Sequence, residues 1–136
     1  MSSIVVDTSA LFAVLNGEEE AASIRQALDE ANHIAISAAT LHEAFCVSQK
    51  PSLERGPARL EKMVDLLEPE IVAFDRQHLT VARAAYARYG RGSGHRAHLN
   101  MGDCFAYALA KTRGVPLLFK GGDFVHTDVE PALNPA

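Results

Sequence analysis

Four acidic residues stand beside apolar runs, where a carboxylate is costly. Asp7 closes "SIVVD", Glu43 lies inside "ATLHEAFCV", Asp103 inside "LNMGDCFAYALAK", and Asp123 follows "LLFKGG". Acids on apolar elements that point to one edge repel one another. At an effective dielectric of ~20, two charges about 5 Å apart cost about 3 kcal/mol before screening. A cation offsets that cost, and hard oxygen ligands suit Mg²⁺ or Mn²⁺, with water completing the octahedron. Carboxylate-held Mg²⁺ beside a phosphodiester is a hydrolysis site, because the ion polarises the phosphoryl oxygen and lowers the pKa of a bound water. Each acid also has a plainer reading. Asp7 can cap a helix, Glu43 can be a partly exposed helix charge, and Asp123 can be a turn residue in "GGDF". Asp103 can be the N3 partner of an Asn100 cap, as in a capping box. The group, not any one member, points to a metal.

The elements that must position these acids are legible as alternating strands and helices. "SIVVDT", "HIAIS", "EIVAF" and "PLLFK" are β-branched or apolar runs of strand length. Between them lie "SALFAVLN", "EEEAASIRQALDEA" and a helix capped by Ser37 that runs to about Gln49. A stripe of Leu60, Met63, Val64 and Leu67 follows the break at Pro51 and Gly56-Pro57. The next helix, capped by Asp75, is expected to carry Leu79, Ala82, Tyr86 and Tyr89 on one face, and the helix holding Asp103 comes last. The C-terminal segment "VHTDVEPALNPA" is expected to add one short strand. This alternation predicts one α/β domain over residues 1–136, with a mainly parallel central sheet of four to five strands flanked by helices. In such folds ligands bind outside the carboxyl ends of the strands. Asp7 and Asp123 fall at that edge by topology alone.

Bulk properties narrow the class. A length of 136 residues, 48% hydrophobic and 22% charged, suits one soluble globular domain. No apolar run approaches ~20 residues, so no membrane span is expected, and the N-terminus is a poor signal peptide. Two scattered cysteines, Cys46 and Cys104, read as reduced and packed, which points to the cytoplasm. The net charge of −4 argues against indiscriminate coating of nucleic acid. Yet from Arg76 to Gly102 there is no acid, while Arg76, Arg83, Arg88, Arg91 and Arg96 and three histidines all fall there. A basic segment beside an acid cluster suggests a route for a phosphate backbone, with Arg91 and Arg96 in the loop "GRGSGHRAH" the foremost contacts. Lys120 stands near Asp123, either to meet phosphate or to pair with an acid.

In order along the chain, "IVVDTSAL", Glu43 after the second strand, "LNMGDCFAYALAK" and "LLFKGGDF" resemble the PIN domain, most closely its VapC toxins from bacterial type II toxin–antitoxin pairs. The resemblance covers nearly the whole chain and rests on the ordered set of motifs. It implies a metal-dependent endoribonuclease with its acids at Asp7, Glu43, Asp103 and Asp123, a homodimer, and a small VapB-like antitoxin as partner. Ser9 matches the hydroxyl residue that supports the first acid, and Asn100 the polar residue leading into the third.

Two other enzyme-like readings compete. A receiver-like phospho-acceptor module also has a parallel sheet and an acidic pocket, and Asp75 after the third strand would be its acceptor. It lacks an acidic pair at the end of the first strand. An Asp-dependent phosphohydrolase commonly carries a second Asp two residues after its nucleophile, and here that place holds Ser9. A non-catalytic binding domain accounts for the fold but not for four converging acids.

Overall fold

The computed structural model describes residues 2–133. Its strands are β1 (Ser3–Val6), β2 (His33–Ser37), β3 (Glu70–Val72) and β4 (Leu117–Leu118). Its helices are α1 (Thr8–Leu15), α2 (Ala21–Glu30), α3 (Ala38–Val47), α4 (Gly56–Leu67), α5 (Arg76–Tyr89) and α6 (Met101–Arg113). All strand pairs are parallel and the order is β3-β2-β1-β4. The four-stranded parallel sheet flanked by helices agrees with the sequence. The expected C-terminal strand reduces to a single bridge, Leu117 to Pro131, closed by hydrogen bonds from Leu117 N to Glu130 O and from Ala132 N to Leu117 O.

The topology follows from handedness. From β1 to β2 to β3 the chain moves one way along the sheet; from β3 to β4 it moves back past β1. Parallel crossovers are right-handed, so reversing direction puts the connecting helices on the opposite face. Accordingly α1 to α4 pack with Ile4, Val6, Ile36 and Leu118 on one face, while α5 and α6 pack with Val5, Ala35 and Leu117 on the other. Successive residues of β1 thus face different cores, and both faces are covered, as a parallel sheet requires. The reversal also makes a topological switch point between β1 and β4, where a crevice opens beyond the strand ends. The receiver-like reading fits poorly here, because that fold places β1 beside β3.

Local chemistry sets the helix ends that matter. Asp7, Ser37, Asp75 and Asn100 all cap helices through their side chains. Asp75 accepts from His78 N at 3.0 Å, so the residue proposed as a phospho-acceptor is a cap. Helix α6 ends at Gly114, whose φ of 64° is the left-handed conformation that glycine adopts without a steric cost.

Three expectations need correction. Glu18 to Glu20 precede α2 in a turn instead of forming its first turn. Helix α5 buries His78, Ala82, Ala85 and Tyr89, whereas Leu79 and Tyr86 are 48% and 42% exposed. The helix is apolar on two adjoining stripes, and packing on α6 selects the one with the small alanines. Cys104 is buried as expected, but Cys46 is exposed on α3. No helix among the described residues is long and apolar enough to cross a membrane.

Candidate active site

Asp7 is the most constrained of the four acids. It is only 3% exposed, at the junction of β1 and α1. Its Oδ2 accepts from Ser9 N at 3.0 Å and from Ser9 Oγ at 2.7 Å. Ser9 Oγ in turn accepts from Lys120 N at 3.0 Å, which ties the segment just after β4 to the first acid. The other oxygen, Oδ1, is buried with no protein partner. Burial, with smaller contributions from the charges of Asp103 and Glu43, pushes the Asp7 carboxyl up to about 7 against the pull of Ser9.

Asp103 sits in the first turn of α6. It completes a reciprocal capping box: Asn100 N donates to Asp103 Oδ2 at 2.9 Å, and Asp103 N donates to Asn100 Oδ1 at 2.8 Å. Partial burial, then the charges of Asp123 and Glu43, raise its carboxyl to about 6. The cap and the acid cluster are therefore compatible roles of one residue. Capping fixes one oxygen, and the side chain still lies in the field of the other acids.

Glu43 is half-buried on α3, where its Oε1 accepts from Thr8 Oγ1 at 2.7 Å. Its carboxylate lies against Gly102, and any Cβ at position 102 would overlap it. The room that a glycine leaves at position 102 is taken by Glu43. Asp123 is exposed, just before a single 3₁₀ turn at Phe124–His126, and joins the group through its charge on Asp103.

Charge thus links Asp7 with Glu43 and Asp103, and Asp103 with Asp123. Among the described residues, no three His, Cys, Asp or Glu side chains close on one another tightly enough to enclose an ion by themselves. The arrangement is open, as suits an ion that keeps several of its own waters and takes only one or two carboxylates directly. The all-oxygen donor set and the unpartnered, buried Asp7 Oδ1 fit a hard divalent cation.

The basic residues are less uniform. Arg91 lies close enough for its charge to lower the Asp103 carboxyl, while Arg96 is exposed on the same loop. That loop is anchored rather than loose. Arg91 N donates to Leu99 O, Leu99 N donates to Tyr89 O, Ala97 and Leu99 are buried, and the His95 ring stands edge-on to Tyr89 at 4.8 Å. Lys120 pairs with Glu18 at 2.8 Å, so its ammonium is engaged by an acid. Asp128 is taken up by Tyr107 OH at 2.5 Å and Lys111 at 3.2 Å, which fastens the C-terminal segment to α6. Sequence reasoning missed Thr8, whose only signal is its place next to Asp7.

The sequence matches the PIN domain over residues 4–130. Ribonuclease VapC30 of Mycobacterium tuberculosis is 44% identical over 133 residues, covering 97% of this chain and 100% of that protein. Among solved structures, M. tuberculosis VapC20, described as a sarcin–ricin loop cleaving toxin, superposes with a TM-score of 0.73 at 15% identity, covering 97% of this chain and 99% of that one. VapBC-5 of M. tuberculosis, described as a member of the VapBC family of toxin–antitoxin systems, gives a TM-score of 0.63 at 22% identity, covering 98% and 97%. At those identities the structural likeness speaks for the fold alone. The match along nearly the full length and the relative at 44% identity decide the family: this chain is a PIN-domain protein of the VapC ribonucleases.

Proposed function

We propose that the protein is a VapC-type endoribonuclease toxin that hydrolyses RNA phosphodiester bonds in the cytoplasm and is neutralised by a VapB-like antitoxin. The observation that carries this reading is Asp7: a buried carboxylate with one oxygen unpartnered, in the field of Glu43 and Asp103. Asp7, Glu43, Asp103 and Asp123 are the residues to hold Mg²⁺, with Mn²⁺ as a substitute. When bound, the ion supplies Lewis-acid polarisation of the phosphoryl oxygen and a water of lowered pKa. The chain supplies orientation. Ser9 holds Asp7 in one rotamer with Oδ1 turned away from both of Ser9's donors. Asn100 holds Asp103 in place through the capping box. Sequencing RNA ends after brief expression of wild type and of Asp7→Asn tests the reading. New 5′ ends at defined positions are expected with wild type only, and identical end profiles would sink it.

Arg91 and Arg96 would supply affinity for the RNA backbone rather than chemistry. Replacing both by Ala is expected to weaken RNA binding and flatten its salt dependence, since each lost phosphate contact lowers the slope by roughly one. Unchanged affinity and slope in the double variant would move the RNA path elsewhere.

The homodimer implied by the family has a fitting surface. Leu79, Tyr86 and Met101, the last 71% exposed, form one side chain cluster with Phe74 and Phe105 along a groove of about 650 Å³. Contiguous apolar patches of this kind mark association sites on otherwise polar surfaces. Light scattering is expected to give twice the chain mass of 14.7 kDa for wild type, and the chain mass for Leu79→Glu/Tyr86→Glu. A monomeric wild type at tens of micromolar would remove the proposal.

A further inference from the structure

We propose that Thr8 and Gly102 are positioning residues that together seat the Glu43 carboxylate, so that the second acid is built from α1 and α6 as well as from its own helix. The inference rests on the metal-dependent reading above. Glu43 belongs to α3, but its carboxylate touches two other elements. On one side Thr8 Oγ1 donates to Glu43 Oε1 at 2.7 Å. A second acceptor, Thr40 O, is 3.4 Å from the same hydroxyl. One hydroxyl carries one proton, and the shorter, charge-assisted bond takes it. On the other side Gly102 presents no side chain, and a Cβ there would overlap both carboxylate oxygens and the carboxyl carbon between them.

The placement of the two residues explains why such a seat matters. Thr8 follows Asp7 directly, and Gly102 precedes Asp103 directly. The seat therefore fixes Glu43 against the backbone on which the first and third acids are mounted. A glutamate has enough rotatable bonds to swing into solvent, and a half-buried one does so unless something holds it. Thr8 is suited to hold it: as a β-branched residue in the first turn of α1 it has few χ1 rotamers, so its hydroxyl direction is set by the helix. Gly102 is suited because it is the second residue of α6, where the Asn100 and Asp103 cap already offsets the weak helix preference of glycine. Partners that orient metal-holding carboxylates typically matter about 10–100-fold in metal affinity.

The test measures Mn²⁺ binding by calorimetry and RNA cleavage side by side. Thr8→Val keeps the shape and removes the donor, and about tenfold weaker Mn²⁺ affinity is expected with an unchanged melting temperature in the absence of metal. Thr8→Ser restores the donor and is expected to recover most of that affinity. Gly102→Ala is expected to displace Glu43 and weaken Mn²⁺ binding by a similar factor. In a Glu43→Gln background neither change should cost much more, because both act through the missing carboxylate. Wild-type affinity in Thr8→Val, or losses that multiply in full with that of Glu43→Gln, would overturn the inference while leaving the metal reading intact. Failure of wild type itself to bind Mn²⁺ would remove the metal reading and the inference together.

Discussion

Purified Asp7→Asn protein is expected to cleave RNA at least about a thousandfold more slowly than wild type, and yet to melt at a higher temperature when no metal is present. The two effects have one cause. Asp7 is buried, and burial holds its carboxyl near 7 instead of the usual 3.8. At pH 8 the side chain is ionised in a place that disfavours charge, so the fold carries a stored cost. The rise from 3.8 to about 7 corresponds to an upper bound on the order of 4 kcal/mol. Asparagine keeps the cap at the start of α1, since Asn and Asp cap about equally well. It removes the charge but leaves an amide with no assured acceptor, which returns about 1–3 kcal/mol of the gain. The balance is a rise of a few degrees at about 4 °C per kcal/mol for a domain of this size. Catalysis moves the other way, because an ion lost from a phosphoryl-transfer site forfeits several kcal/mol of charge stabilisation, and ~4 kcal/mol is about a thousandfold in rate. Retained cleavage by Asp7→Asn would show that Asp7 holds no ion. A lower melting temperature than wild type would show that the unpartnered oxygen is a structural feature and not a held-open ligand.

What the sequence revealed and what it hid divide along chemical range. Asp7, Asn100 and Asp103 were legible because their interactions close within a few residues. A cap and a reciprocal box at N3 follow from spacing, whereas the hydroxyl of Ser9 on Asp7 was implied only by the resemblance to the PIN domain. The place of Asp7 at the carboxyl end of β1 was legible because parallel strands put their carboxyl ends on one edge. Interactions between distant segments were hidden. Nothing in "KGGDF" or "NGEEE" says that Lys120 meets Glu18, and nothing in "NMGD" says that Glu43 fills the space above Gly102. The face of α5 was misjudged for a different reason. Leu79 and Tyr86 are larger than Ala85, and a pattern of large side chains at helical spacing therefore placed them with Ala82 and Tyr89. Close packing of two helices favours the small residues instead, which left the large ones outside.

The second large effect is a dependence of metal-free stability on pH that is opposite to the usual acid unfolding, and its abolition by metal. Asp7 and Asp103 have carboxyls raised to about 7 and about 6 from the ordinary 3.8. Between pH 4 and 7 the folded state therefore binds more protons than the unfolded chain, and stability falls as pH rises through that window. The contribution of these two groups is fully present below about pH 4 and is lost as pH passes 6 and then 7. Glu70 works in the other direction. Hydrogen bonds from Arg113 and His33 lower its carboxyl to about 2 from 4.5, so its contribution is present above 4.5 and lost on acidification towards 2. Asp128, also lowered, acts at the acid end too. Both fall outside the range from pH 5 to 8, where the melting temperature of the metal-free protein should decline steadily. Saturating Mg²⁺ binds the ionised carboxylates, so it should lift the melting temperature most at pH 8, where no proton has to be displaced. The stabilisation there is about 2.7 kcal/mol at a hundred times the dissociation constant, and it should shrink towards pH 5. Asp7→Asn and Asp103→Asn should each flatten the metal-free decline, which assigns it to these two carboxyls. A metal-free melting temperature that rises from pH 5 to 8, or a Mg²⁺ shift of equal size at both ends, would mean that the acids at the β1/β4 crevice are neither destabilised by burial nor held for an ion.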